Sequence, residues 1–419
     1  MKRKRLLFIN RSFWPDNEAT GQLLTQLCED LVQDFDVDVI CGHPLHGEKV
    51  SDDVHPFGPS LNIHRVNHTR FSKGSIVGRL TNLLTFTASA YRKLKQVPTP
   101  DVVITETDPF FLPLLGRKIQ RKTGCQYIAY LQDIYPDVAV ALGKAREGIL
   151  VKQLRNMLFN CYQKADRVIV LSEDMKQTCQ QHGVSKSSLR VLPNWTDTTT
   201  IVPLKQNNPF RSKNGWNDKF LVMYSGNLGL AHELDALLDA AEVLKNRENI
   251  HFVIIGDGVQ KKRISQRVDE NNLTNVTILE KQPYEKLAES LSAADVHFVS
   301  LKSGVERCLF PSKVYGILAS GTPLLVLASS RSELSQFVSN EQLGEACEID
   351  QPQTQRAESI ATAILALAQN STSVQEMGQR ARQIAVQEFD RSVITNKFAD
   401  LVHETILQKQ QTKSLASNL

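Results

Sequence analysis

The sequence describes a chain of ordinary soluble composition that is long enough for two domains. It has 419 residues, of which 41% are hydrophobic and 22% charged, and at this length two α/β domains can each bury a core. A formal net charge of +4 is too small to indicate nucleic-acid binding. The seven cysteines are scattered without a CxxC pair, which indicates a reducing compartment and no structural zinc. No apolar run approaches the ~20 residues of a membrane span.

Strand and helix patterns alternate through the first half of the chain. The first strand is predicted over 5–10, and the first helix begins at Gln22, after a loop. Further strands are predicted at 36–41, 62–67, 101–106, 127–133, 167–172 and 189–194, with helices at 113–122, 150–164 and 172–182. This alternation is typical of a parallel sheet with helices on both faces.

A second alternating series follows a polar connection. The connection lacks periodicity and is rich in asparagine, so it predicts a linker. The predicted organisation is a first domain over 1–196, a linker over 197–217, a second domain over 218–388, and 389–419 as a C-terminal helix that could pack back on the first domain. The residues after Gln408 are expected to form a frayed tail.

The stretch 304–328 predicts a loop, a helix, a tight turn and a buried strand. Pro311 suits the first helical turn, and Gly321 suits the left-handed position that ends a helix. Ser312 and Lys313 are then expected to face outward at the helix start, where a hydroxyl and an ammonium can bind phosphate. The alternative is an ordinary helix–strand unit with a solvated lysine.

Two further loops of the second half carry glycines between a strand and a helix. Gly226 and Gly229 form one, and Gly256, Asp257 and Gly258 form the other. Each loop alone is a weak signal. Together with 304–328 they would open at the carboxyl edge of one parallel sheet, where ligands of such sheets bind.

The first half offers two candidate site positions. Gly21 lies at the start of the first helix, after the loop that follows the first strand. Asp133 ends the predicted strand 127–133, where a carboxylate would reach a binding site. Capping of the next helix is an equally good interpretation of Asp133.

The region 68–96 mixes cations with apolar residues. Its cations are Arg70, Lys73, Arg79, Arg92, Lys93 and Lys95. A basic amphipathic stretch predicts contact with an anionic membrane surface. The alternative is a core helix with solvated cations.

The motifs WPDNEATGQLLTQL, LQDIYPDVAVALG, GNLGLAHELDALL, GDG and PSKVYGILASGTP together resemble the family 4 glycosyltransferases of GT-B fold. The match is to bacterial members that build surface polysaccharides, O-antigen and colanic acid. The resemblance implies an α/β fold with two Rossmann-like, doubly wound parallel-sheet domains facing a cleft. It also implies a retaining, hexosyltransferase-type enzyme that moves a sugar from a nucleotide diphosphate donor to a saccharide acceptor, lipid-linked through a polyprenyl group. It further implies a cytoplasmic protein, peripheral on the inner face of the plasma membrane.

Carried over by position, the resemblance assigns roles to single residues. Donor binding falls to Gly21, Gly226, Asn227, Gly256, Asp257, Gly258, Tyr284, Pro311, Ser312 and Lys313, and catalysis to Asp133 and Lys313. The diphosphate would lie at 226–227 and 312–313, and the nucleoside at 256–258 and Tyr284. Gly21 and Asp133 would face the transferred sugar and the acceptor. Lys313 and helix N-termini would stabilise the leaving diphosphate, so no metal and no cofactor are expected.

The sequence departs from the family pattern at three positions. Many members carry two glutamates separated by seven residues, and here Cys308 and Gly316 stand there. Asn227 stands where many members place a cation, and Glu306 could serve for the first glutamate. A nucleotide-sugar epimerase of similar fold and a non-catalytic nucleotide-sugar-binding subunit are the alternative functions.

Overall fold

The structure, a computed structural model, describes residues 3–16, 19–44, 56–71 and 76–417. The chain divides into two compact units. Unit 1 comprises Met1–Val140, Ala145–Pro193 and Ser392–Leu419, and unit 2 comprises Ala141–Lys144 and Asn194–Arg391.

Unit 1 is built on a parallel sheet. Its strands are β1 (Lys4–Ile9), β2 (Phe35–Gly42), β3 (Leu61–Val66), β4 (Val102–Thr105), β5 (Gln126–Leu131), β6 (Arg167–Val170) and β7 (Leu189–Val191). The helices that precede β7 in the chain are α1 (Ala19–Leu31), α2 (Ile76–Lys93), α3 (Leu112–Thr123), α4 (Asp137–Ala141), α5 (Ile149–Gln163) and α6 (Glu173–Gln181). Among the described residues the strand order is β3-β2-β1-β4-β5-β6-β7. The central strands β4 and β5 are buried and apolar, as strands covered on both faces must be.

Several strands end earlier than their apolar patterns predict. β4 ends at Thr105 and β5 at Leu131, although the patterns extend to Glu106 and Asp133. The paired ladder between β4 and β5 stops at Thr105 and Ala129. The acidic residues that follow therefore lie in loops at the carboxyl edge of the sheet.

Unit 2 repeats the architecture with a smaller sheet. Its strands are β8 (Phe220–Ser225), β9 (Ile250–Ile255), β10 (Val276–Leu279), β11 (Val296–Ser300), β12 (Leu324–Ala328) and β13 (Gly344–Glu348). Its helices are α7 (Pro209–Asn214), α8 (Leu234–Val243), α9 (Lys261–Glu270), α10 (Leu287–Ser292), α11 (Lys313–Ala319), α12 (Glu333–Asn340), α13 (Gln353–Gln369) and α14 (Ser371–Glu388). In the described part of the chain the strands run parallel in the order β10-β9-β8-β11-β12-β13. The predicted α/β class with two doubly wound parallel sheets is confirmed.

The stretch 197–217, expected as a linker, is instead part of unit 2. It contains α7, whose Phe210 is buried with Trp216 in an apolar cluster. Asn208 caps α7 because its side-chain oxygen accepts hydrogen bonds from two backbone amides. Lys205 donates to the carbonyl of Ala294 (2.6 Å) and the hydroxyl of Thr322 (2.8 Å). Lys205 and Asn208, which suggested a solvated connection, thus form hydrogen bonds within unit 2.

The last helix, α15 (Arg391–Ser417), packs almost entirely within unit 1. Phe398 is buried, with its ring centroid 6.2 Å from Phe8 and 5.6 Å from Tyr130. α15 continues past Gln408 to Ser417, and the fraying expected there stays a prediction. No glycine or proline follows Gln408 until the helix ends, and the residues there are mostly good helix formers.

α2 presents one face to the core and another to solvent. Phe86 and Ala90 are buried, whereas Val77 is 73% and Leu84 56% exposed. α2 therefore packs in part on the core, and contact of its exposed face with a membrane stays a prediction. Lys73 and the side chain of Arg79 lie outside the described residues. No helix in the described part of the chain is long and apolar enough to cross a membrane.

Candidate active site

The stretch 304–328 forms the predicted loop, helix, turn and strand. α11 and β12 occupy the expected places, and Gly321 has a φ of 64°. The position predicted for Pro311 is wrong: Ser312 is the residue that precedes the first helical residue, so Pro311 lies outside the helix. The carbonyl of Pro311 instead closes a turn by accepting from the amide of Val314 (3.2 Å).

The side chain of Lys313 turns inward, so the expectation that it faces outward is wrong. Its Nζ lies 3.7 Å from the ring centroid of Tyr224. The nitrogen is buried, and among the described residues it has no hydrogen-bond partner. Burial lowers the pKa of Lys313 well below its usual value. Ser312 beside it stays exposed.

Lys313 points at the loop that follows β8. A Cβ atom at Gly226 would lie 3.2 Å from both Cε and Nζ of Lys313. A Cβ at Gly256 would overlap the carbonyl oxygen of Gly226, and one at Gly258 would lie 2.7 Å from the carbonyl oxygen of Leu228. All three glycines also have φ between +143° and +151°, which other residues rarely adopt. The two glycine loops and Lys313 are therefore brought together as predicted.

The remaining candidates of unit 2 lie at the same edge of the sheet. Asn227 and Asp257 are exposed, and the amide of Gly258 donates to Asp257 Oδ1 (2.8 Å). Tyr284 begins a short turn that follows β10, and its side chain is partly exposed. Cys308, at the position of the first missing glutamate, is buried.

His232 belongs to this site and was missed from the sequence. Its Nδ1 lies 2.7 Å from the carbonyl oxygen of Ser300, so that nitrogen carries the proton and donates it. Burial, aided by the charge of Lys313, lowers the pKa of His232 to about 3. The signal available in the sequence was its place in the loop between Gly229 and α8.

Unit 1 gathers carboxylates at the carboxyl edge of its own sheet. Asp108 follows β4 and pairs with Arg11, whose guanidinium lies 3.0 Å from its carboxylate. Asp133 follows β5, and its backbone amide donates to the hydroxyl of Thr107 (3.3 Å). Burial and the neighbouring Asp108 raise the pKa of Asp133 to about 6. The capping interpretation of Asp133 is wrong, because α4 begins only at Asp137.

Glu106 is a second residue that sequence reasoning missed. Its side chain is 2% exposed, and Gln132 Nε2 donates to it at 3.4 Å. Burial and the charge of Asp108 raise the pKa of Glu106 to about 8. Its place at the end of a predicted strand was the available signal.

Gly21 lies in the first turn of α1, where it permits close packing. A Cβ there would lie 3.3 Å from backbone atoms of both Ser12 and Phe13. Gly21 therefore sets the distance between α1 and the loop after β1. Among the described residues, no three His, Cys, Asp or Glu side chains are grouped to hold a metal ion.

Two family models match the chain. The model described as Glycosyltransferase Family 4 matches residues 20–200, and the model described as Glycosyl transferases group 1 matches residues 206–384. The Pseudomonas aeruginosa protein named as glycosyltransferase WbjE is 24% identical over 312 residues, which are 74% of this chain and 76% of that protein. The Escherichia coli (strain K12) protein named as colanic acid biosynthesis glycosyl transferase WcaI is 27% identical over 275 residues, 63% of this chain and 66% of that protein.

Solved structures share the fold across the whole chain. The sucrose-phosphate synthase of Thermosynechococcus elongatus superposes with a TM-score of 0.77 at 18% identity, covering 97% of this chain and all of that one. HepE of Anabaena, in complex with UDP-glucose, superposes with a TM-score of 0.70 at 13% identity, covering 96% of this chain and 99% of that one.

The buried Glu106 predicts that stability falls as pH rises. In the folded chain this carboxyl is neutral up to a pKa of about 8, whereas in the unfolded chain it ionises near the ordinary value of 4.5. Between these two pH values the folded state holds one more proton than the unfolded state. The contribution of Glu106 to stability is therefore fully present below pH 4.5 and is lost as pH rises towards 8. Glu106→Gln should raise the unfolding free energy by about 3 kcal/mol more at about pH 8 than at about pH 5.

Urea unfolding at the two pH values measures this difference. Glu29→Gln, which changes an exposed carboxylate on α1, is the matched control and should show almost no pH-dependent change. An equal effect of Glu106→Gln at both pH values would contradict the prediction.

Proposed function

Because the chain belongs to the family 4 glycosyltransferases of GT-B fold, we propose that it is a retaining enzyme that transfers a hexose from a nucleoside diphosphate donor to a lipid-linked saccharide. The observation that carries the donor assignment is the buried side-chain nitrogen of Lys313 beside Gly226. The names of WbjE and WcaI describe glycosyltransferases, and that of WcaI specifies colanic acid. They support a role in bacterial surface polysaccharide synthesis.

The donor diphosphate is proposed to bind to unit 2 between Lys313 and the glycine loops. A buried cation without an anionic partner is unfavourable, and a phosphate oxygen would supply that partner. Gly226 and Gly256 leave backbone within reach of such a ligand because they carry no side chain. HepE, which shares this fold, binds UDP-glucose. Nucleoside contacts are proposed at Asp257 and Tyr284.

Breakage of the bond to the sugar leaves negative charge on the nucleoside diphosphate. Lys313 is placed to stabilise that charge more strongly in the transition state than in the ground state. The proposal assigns this task to a protein cation and requires neither a cofactor nor a metal ion.

Donor identity is tested by thermal-shift screening against UDP-, GDP- and dTDP-sugars. Product analysis with a polyprenyl-linked saccharide then reports the acceptor, and the anomeric configuration of the product reports retention. A stabilising donor with no transfer to any acceptor would favour an epimerase or a binding subunit.

Lys313→Met should lower turnover about a hundredfold to a thousandfold, the usual loss when one charge-stabilising group is removed. Methionine keeps the unbranched apolar stem that packs on Tyr224, so the melting temperature should stay near that of the wild type. Lys245→Met changes an exposed lysine just beyond α8 and should leave turnover unchanged. Wild-type turnover in Lys313→Met would exclude this donor assignment.

Asp133 is proposed to act on the sugar and acceptor in unit 1. Glycosyl transfer passes through a transition state with positive charge at the anomeric carbon. An ionised carboxylate stabilises such charge, and a pKa of about 6 leaves Asp133 mostly ionised at neutral pH. Arg11 pairs with Asp108, not with Asp133, in the contacts that the structure shows.

Asp133→Asn should therefore lower turnover about a hundredfold, the lower end of what one positioned acid–base group supplies. Wild-type turnover should rise with pH through the Asp133 pKa of about 6 and level off above it, and this rise should be absent in Asp133→Asn. Asp34→Asn, at an exposed position before β2, is the control. Loss of stability with retained activity would show that Asp133 has only a structural role.

The helical layer that contains α2 is proposed to dock on an anionic membrane. α2, α3 and α5 contain no Asp or Glu, and α3 packs against both of the others. Lys118 of α3 lies 4.0 Å from the ring centroid of Tyr91 on α2. Ile149 and Leu150 are 77% and 80% exposed at the start of α5. Cations together with exposed apolar side chains suit the boundary of an anionic bilayer.

Membrane contact is tested with the double variant Leu80→Asn/Leu84→Asn. The wild type should co-sediment with vesicles that contain anionic lipid, and high salt should release part of it, because salt screens beyond about 10 Å. The variant should bind at least about tenfold more weakly, since two exposed apolar side chains of α2 no longer enter the bilayer. Val243→Asn/Val386→Asn changes two exposed valines of unit 2 and is the control. Equal binding to neutral and anionic vesicles, or no binding to either, would contradict the proposal.

A further inference from the structure

The surroundings of Lys313 contain titratable groups but no carboxylate in the contacts that the structure describes. Tyr224 of β8 lies under its ammonium, and His232 lies in the loop before α8. His297 of β11 is the third group close enough to feel its charge. The neighbours within one turn are Ser312, which precedes α11, and Val314, Tyr315, Gly316 and Ile317 of α11, and none is acidic.

Tyr224, His232 and His297 each make a hydrogen bond of their own, and burial disfavours the charged form of both histidines. The hydroxyl of Tyr224 donates to the carbonyl of Asn227 (2.6 Å). His232 Nδ1 contacts the carbonyl oxygen of Ser300, and His297 Nε2 lies 2.9 Å from the carbonyl oxygen of Leu291. Burial lowers the pKa of both histidines to about 3, aided by Lys313 at His232 and by Lys205 and Lys313 at His297.

A buried ammonium in such surroundings is unfavourable and can be relieved by loss of a proton. Water cannot solvate the nitrogen because it is buried, and no described carboxylate or carbonyl accepts its hydrogens. The pKa of Lys313 is accordingly lowered, and its cause is burial alone. A diphosphate placed beside Gly226 would reverse this by adding negative charge next to the nitrogen.

We propose that a nucleoside diphosphate, on binding to unit 2, is accompanied by uptake of one proton, which is bound by Nζ of Lys313. This inference rests on the proposed donor site. The lone pair of the amine forms the new N–H bond, and the buffer acid supplies the proton, so no other bond changes. Binding of the diphosphate thus produces the charged Lys313 that stabilises the same diphosphate when it leaves the sugar.

Proton uptake makes donor affinity depend on pH. Where the free protein has a neutral Lys313 and the complex a charged one, each unit of pH rise should weaken binding by up to about tenfold. The phosphates of the free ligand are already fully ionised at about pH 8, since the last phosphate proton dissociates near pH 6. A proton taken up at that pH therefore goes to the protein.

Isothermal titration with UDP and with GDP at about pH 8, in two buffers of different ionisation enthalpy, measures the protons taken up. A net uptake of protons, of up to one for each nucleoside diphosphate bound, is expected for the wild type. Lys313→Arg carries a charge that is never lost, so it should bind without uptake. Lys313→Met should bind at least about tenfold more weakly, also without uptake.

His232 is the competing acceptor, and His232→Asn separates the two. The asparagine amide can still donate to the carbonyl of Ser300, so the loop keeps that hydrogen bond. Proton uptake that persists in His232→Asn supports Lys313 as the acceptor. Proton uptake that disappears in His232→Asn but persists in Lys313→Arg overturns the proposal. If Lys313→Arg folds poorly, the pH dependence of wild-type and His232→Asn binding between about pH 7 and pH 8.5 decides.

The failure of this inference and that of the proposed function are distinguishable. Tight binding of UDP or GDP without proton uptake overturns the inference and leaves the donor site intact. Absence of binding by any nucleoside diphosphate overturns the donor site, and the inference falls with it.

Discussion

The approach of Lys313 to Gly226 is the contact on which the proposed donor site depends. This approach is possible only because the loops after β8 and β9 pack closely together. The Cα of Gly256 faces the carbonyl of Gly226, and that of Gly258 faces the carbonyl of Leu228. A Cβ atom at either glycine would push the loops apart. Their separation would admit water to Nζ of Lys313, which is now buried over the ring of Tyr224. The glycines therefore control the solvation of the lysine as well as the approach of a ligand.

The carboxyl edge of the sheet carries ionisable side chains in both units, basic ones in unit 2 and acidic ones in unit 1. Parallel strands end at one edge of a sheet, so residues far apart in sequence meet there. In unit 2 that edge presents the amine of Lys313 and neutral histidines, whereas in unit 1 it presents Glu106, Asp108 and Asp133. Only Asp108 has a cationic partner among the contacts shown, namely Arg11. These different surroundings suit the roles proposed for the two edges, donor phosphate binding in unit 2 and stabilisation of a positively charged anomeric carbon in unit 1.

Alternating apolar patterns were enough to predict every strand of the two sheets except β13, since buried parallel strands read as short apolar runs. The glycine loops were predictable too, because strand, glycine and helix follow each other in a fixed order. The direction of a side chain was not predictable. Lys313 was interpreted as solvated because nothing near it in the sequence shows that its Nζ packs on the ring of Tyr224, 89 residues earlier. Glu106 was not recognised because it stands at the end of an apolar run. Lys205 and Asn208 were assigned to a linker because their hydrogen-bond partners come from distant parts of unit 2.

The departures from the family pattern and the environment of Lys313 belong to one electrostatic arrangement. Residues 313 and 316 are three apart on α11, so a glutamate at 316 would lie within ion-pair reach of Lys313. Gly316 stands there, and a Cβ atom added to it would lie 3.4 Å from the side chain of Leu291, while Cys308 replaces the other glutamate. With no carboxylate at 316 and no cation at 227, the proposed donor site would rely on Lys313 as its cation and on the donor phosphate as the counter-ion.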